Sequence, residues 1–188
     1  MITQLSAKLR LKLLRVARRS IENFMKNGDH IQFLTEIPEF LEKRAVFVTL
    51  RKRSTGGLRG CIGHSKPQYP LIEAVAKTAI SSALDDSRFT PLKIDELPDL
   101  LIEINVLSPM SPCKPENVEI GKHGLMIING SKGALFLPEV AVSNDWDLNT
   151  FFDELCRKAD LPKGSWKNRY AELYVFESEA WGEHEFPC

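Results

Sequence analysis

Ten residues, Thr55-Gly56-Gly57-Leu58-Arg59-Gly60-Cys61-Ile62-Gly63-His64, restrict the folds open to this chain more than any other stretch. They hold four of its eleven glycines, with a cysteine, an arginine and a histidine among them. The apolar run at 45–50 just before them reads as a strand. Gly56-Gly57 reads as the turn into a second strand, because glycine enters positive φ without steric penalty. Gly60 and Gly63 then fall inside that strand, where a missing side chain marks a bulge or a close backbone approach. A hairpin with open space around Cys61 is therefore expected. Arg59 shares a strand face with Cys61, whereas His64 falls on the other face unless a bulge intervenes. Positive charge beside the thiol would favour the thiolate. The competing reading makes Cys61 a small residue packed in a tight corner.

Around this hairpin the periodicity predicts a mixed chain. A long helix is expected over 6–27, with Leu9, Leu13, Val16, Ala17, Ile21 and Phe24 inward and Gly28 as its stop. Its other face carries Lys8, Lys12, Arg15, Arg19 and Lys26, read as a solvated face or as a surface for nucleic acid or membrane. The stretch 171–188 holds five glutamates and no Lys or Arg, so the two ends are expected to lie side by side and partly neutralise each other. Short helical pieces are expected at 31–34 and 38–41, and a helix at 71–84 opened by Pro67 and Pro70. If the start of that helix points at Cys61, its dipole favours a thiolate or a bound anion. A strand follows at 100–107 with Glu103 and Asn105 on one face, then a proline-rich linker at 108–115. A hairpin at 121–137 with strands at 124–128 and 134–137, a short helix from Pro138, a helix capped by Asp147 or Asn149 and a strand at 173–176 complete the chain. Irregular alternation of strand and helix argues for an α+β fold.

Several segments also carry a resemblance. Leu58-Arg59-Gly60-Cys61-Ile62-Gly63 resembles the signature hexapeptide of the AMMECR domain family. Asp86-Ser87-Arg88-Phe89-Thr90-Pro91-Leu92, Gly121-Lys122-His123-Gly124-Leu125 and Leu137-Pro138-Glu139-Val140-Ala141 resemble three further segments of that family. A fifth, Leu155-Cys156-Arg157-Lys158-Ala159-Asp160-Leu161, places Asp160 where the family has glycine. The resemblance implies two lobes, each an antiparallel sheet with flanking helices, the smaller inserted into the larger with a cleft between them. On this chain it maps the larger lobe to 1–111 with 169–188 and the smaller to 112–168. It implies that Leu58, Arg59, Gly60, Cys61, Ile62, Gly63, Asp86, Arg88 and Glu139 line a binding site. Memo-like and radical SAM proteins are implied partners from the family's context in microbes.

Charge narrows the functional classes. Lys and Arg equal Asp and Glu at 25 each, so no global charge draws nucleic acid or an anionic membrane. No apolar run approaches the roughly 18 residues that span a bilayer. The basic start lacks an apolar core, so no secretion signal is expected, and a cytoplasmic setting with reduced thiols follows. Cys61, His64 and His123 together form a weak metal signal, and no metal or cofactor is assigned. Two functions remain. In the first, Cys61 is a nucleophile acting on a bulky substrate, with His123 or His64 as its base and Arg59 orienting an anionic group. In the second, the motif is a rigid shape on which a protein partner docks, and Cys61 is structural.

Overall fold

A computed structural model describes residues 4–186. It opens with α1 (Ala7–Asn27), whose Leu13, Leu14, Val16, Ala17 and Ile21 are buried along one stripe. Gly28 ends the helix in the left-handed region at φ 74°, where its N–H bonds the Phe24 carbonyl. The expected helical piece at 31–34 does not form, since one uncapped turn cannot offset the cost of nucleating a helix. The piece beginning at Pro38 does form, as α2 (Pro38–Leu41).

The hairpin follows as β1 (Val46–Lys52) and β2 (Leu58–His64), paired antiparallel. Gly56 makes the turn at φ 70°, and its N–H bonds the Lys52 carbonyl. The helix α3 (Leu71–Leu84) crosses beneath the sheet, and β3 (Leu100–Leu107) pairs with β1 on its second edge. Val46, Val48 and Leu50 of β1 and Ile102, Ile104 and Val106 of β3 are buried on the helix-facing side. Together with α1 and α3 they form one core.

A second sheet is built from β4 (Ser111–Pro112), β5 (Gly124–Asn129) and β6 (Lys132–Phe136). After α4 (Pro138–Ser143) and α5 (Leu148–Lys158), β7 (Glu172–Phe176) completes it in the order β4-β7-β5-β6. Asp147 caps α5 by accepting the Thr150 N–H at 2.7 Å, and Phe151, Phe152, Leu155 and Cys156 point inward as their spacing predicts. Finally β8 (Ser178–Gly182) joins the first sheet beside β3, giving the order β2-β1-β3-β8. The fold is thus α+β with two antiparallel sheets.

The described residues divide into two compact units, 4–107 with 179–186, and 108–178. This division departs from the expected boundaries at 112 and 168. The reason is β7, whose Glu172–Phe176 backbone pairs with β5 and so belongs to the second sheet. The sequence reading also missed β8. Within the larger unit the predicted meeting of the chain ends is seen: Arg10 bonds Glu179 at 2.5 Å, and Arg18 bonds Glu183 at 2.6 Å. The Leu5 N–H adds a bond to the Glu179 carboxylate, and the buried Trp181 ring donates its N–H to the Arg10 carbonyl.

Candidate functional site

Gly60 and Gly63 each answer a packing demand. A Cβ at Gly60 would sit 2.0 Å from the Ser82 carbonyl oxygen, so α3 lies directly against the strand there. A Cβ at Gly63 would sit 2.0 Å from the Phe47 ring, which covers its cross-strand partner. Register between β1 and β2 is continuous from Gly60 to His64. Cys61 and Gly63 therefore share a face with Phe47 and Thr49, and the exposed His64 lies on the other. Cys61 is half-buried, and its sulfur accepts the Thr49 hydroxyl at 3.3 Å.

β2 is an edge strand, so Cys61 turns its unpaired backbone groups outward. Two side chains meet them. The Asp86 carboxylate accepts the Cys61 N–H at 2.8 Å, and Arg88 donates to the Cys61 carbonyl at 3.2 Å. The same two residues bond each other at 2.7 Å. Asp86 is 6% exposed, and bonding from Arg88 first and from the Cys61 amide next holds its carboxyl well below the usual carboxylate range. This pair does the work of a neighbouring strand at one residue. Ser82 adds a bond on the other side, accepting the Ile62 N–H while donating to the Val48 carbonyl.

Arg59 is 6% exposed and is held by Glu96 through two bonds of 2.7 and 2.8 Å. This bonding lowers the Glu96 carboxyl to about 2. Phe89 is half-buried beneath both guanidinium groups, with Arg59 at 6.0 Å and Arg88 at 5.6 Å from the ring centre. The cations flanking Cys61 are thus already matched by carboxylates. The helix-dipole expectation is reversed as well. It is the last turn of α3, through Ser82, that meets the strand, and the C-terminal end of a helix dipole is negative.

The other predicted residues lie as follows. Leu58 opens β2 and is 37% exposed, and Ile62 is half-buried. Glu139 is exposed in the first turn of α4. His123 belongs to the unit 108–178, where it lines a groove of ≈ 260 Å³ with Ser108, Ser111 and Glu177. Its Nδ1 accepts the Glu119 N–H at 3.1 Å, so a neutral ring in this setting carries its proton on Nε2. Among the described residues no group of three or more His, Cys, Asp or Glu is placed to hold a metal ion.

Thr49, Ser82 and Glu96 were missed from the sequence. Thr49 carried a signal, because hairpin register places the hydroxyl-bearing residue of β1 opposite Cys61. Glu96 carried none, lying 37 positions from Arg59 in a turn of 3-10 helix.

The comparisons agree with this architecture. The family model AMMECR1 matches residues 14–181. The Pyrococcus horikoshii protein PH0010 is 40% identical over 185 residues, covering 93% of this chain and 89% of its own. A Methanopyrus kandleri protein, MK0488, is 38% identical over 181 residues, covering 92% and 87% respectively. The crystal structure of PH0010, titled an uncharacterized protein, superposes with a TM-score of 0.82 over 91% of this chain and 89% of that one, at 39% identity. The α+β protein with a clamped glycine-rich edge strand described above belongs to the AMMECR1 family.

Proposed function

We propose that this chain is a recognition domain in which the strand Leu58–His64 is a fixed docking element for a protein partner. The observation that carries this reading is the Asp86–Arg88 clamp on the Cys61 backbone. It spends the charges nearest the thiol on holding a strand in place, as Glu96 spends Arg59. Leu58 at the exposed start of the strand and Arg88, whose side chain is 56% exposed, are the contacts offered to the partner. Memo-like and radical SAM proteins, implied by the resemblance, are the first partners to try, in a cytoplasmic setting. Among the described residues no helix is long and apolar enough to cross a membrane.

A second reading is favoured by one contact. The Thr49 hydroxyl donates to the Cys61 sulfur, as it would to a thiolate nucleophile acting on a bulky substrate. One experiment separates the two. The full chain is isolated from the cells that make it, and Cys61 peptides are mapped for covalent adducts while bound proteins are quantified. Docking predicts that a partner is retained by Cys61→Ala, lost with Leu58→Glu, and accompanied by no adduct. A Cys61 adduct, together with a partner indifferent to Leu58→Glu, would establish thiol chemistry instead.

A further inference from the structure

A second surface of the larger unit is unconnected with the Cys61 motif. A groove of ≈ 400 Å³ runs between α3 and the segment 30–35, lined by Ile72, Ala76 and Ile80 below and by Phe33, Leu34 and Leu41 above. Leu34 is 89% exposed and Leu41 53%, so two large apolar side chains stand at its lip. Solvation does not account for this placement, because a contiguous apolar patch on a water-soluble surface marks a binding site more often than a scattered leucine does.

The basic face of α1 reaches the groove at one end, through Arg19. Lys8, Lys12, Arg15 and Arg19 recur at intervals of four, three and four residues, all exposed, along about 16 Å of helix. Among the described residues none of the four forms an ion pair. The acidic C-terminal segment pairs with Arg10 and Arg18 on a different flank and leaves this stripe unneutralised. Arg19 joins the two features, since its guanidinium lies 5.9 Å from the centre of the Phe33 ring. The carboxylate in the groove, Glu73, is paired with Lys77 at 3.2 Å.

We infer that this groove and stripe together bind an acidic amphipathic helical segment of another protein. Its large apolar side chains would fill the groove, and its carboxylates would lie along Lys8, Lys12, Arg15 and Arg19. Charge complementarity selects the occupant. A chain of zero net charge has gathered on one helix face four cations that form no ion pair among the described residues, the last of them at an apolar slot. Insertion into a membrane would need a free apolar face on α1, and that face is buried in the core. A nucleic-acid strand would match the cations but would gain nothing from exposed leucines, since it binds through stacking on aromatic rings.

The test uses the full chain and a fluorescein-labelled synthetic helix with Leu at i, i+4 and i+7 flanked by Glu, followed by fluorescence anisotropy. Comparison ligands are the same helix with Lys for Glu, oligo(dT), and phosphatidylserine vesicles. The acidic helix is expected to bind saturably. The double change Lys12→Glu with Arg15→Glu weakens it about tenfold or more, and Leu34→Ser alone does so separately. All three positions are exposed, and circular dichroism melts of the variants confirm that the fold is retained. Leu58→Glu, which abolishes docking on the strand Leu58–His64, leaves this binding unchanged, which separates the two surfaces. The inference is overturned if no saturable binding is seen, if the basic helix binds as well, or if Leu34→Ser has no effect. It is overturned equally if oligo(dT) or the vesicles bind more tightly than the acidic helix.

Discussion

Gly60 and Gly63 look alike in the sequence but meet different obstacles. At Gly60 the obstacle is the backbone of α3, which cannot move without shifting a helix, whereas at Gly63 it is the Phe47 side chain, Cγ included, which must swing as a whole to another rotamer. Gly60→Ala is therefore expected to cost about 3 kcal/mol or more and Gly63→Ala about 1–2 kcal/mol, both read from urea unfolding. Asp160 is the converse case. The resemblance leads one to expect glycine there, and Asp160 sits in the left-handed region at φ 54° with Lys132 bonded to its carboxylate and carbonyl. The Arg59–Glu96 pair sets a pH dependence. Glu96 has its carboxyl lowered by Arg59 from the ordinary 4.5 to about 2. A lowered carboxyl contributes stability that is fully present above its unfolded value and is lost as pH falls toward the folded one. Acid titration of stability should thus show a loss between about pH 4.5 and 2, and Glu96→Gln should flatten that loss while lowering stability at neutral pH.

At the scale of elements, the strands and helices with strong periodicity were legible. The spans of α3 and β3, the inward set of α5 and the stop at Gly28 follow from apolar spacing and from proline and glycine positions. The meeting of α1 with the acidic end was legible from their opposite charge, but not the residues that make it, since the pairs form through Arg10 and Arg18 and not through the predicted basic face. Its strength rests on more than charge, because Trp181 is 2% exposed and bonds the α1 backbone. Trp181→Ala is expected to destabilise the chain by about 3–5 kcal/mol, well beyond the effect of Glu183→Gln, in thermal or urea denaturation. What stayed illegible was β8. Ser178–Gly182 is only five residues long and holds no β-branched residue, and it becomes a strand only because β3 offers it an edge. Tertiary pairing, not local propensity, creates it.

At the scale of the whole molecule, two cores divide the chain, one beneath β2-β1-β3-β8 and one around α5 and β5. The candidate site was legible as a place and not as a mechanism. The glycines and Cys61 marked it, and Asp86 and Arg88 were visible in the sequence beside it. Their roles were not, since nothing in a sequence says that a carboxylate and a guanidinium will meet the free edge of one residue from a loop 25 positions away. The central claim, that this pair clamps the strand and makes it a fixed docking element, is open to a direct measurement. Amide hydrogen exchange, resolved at Cys61 by NMR, should show the Cys61 N–H protected in the native chain although it faces the open edge of the sheet. In Asp86→Asn that protection should fall by about tenfold or more while the Ile62 N–H, held by Ser82, keeps its own. A Cys61 amide that exchanges as freely as an open-edge amide in the native chain, or that is unmoved by Asp86→Asn, would contradict the clamp and the function built on it.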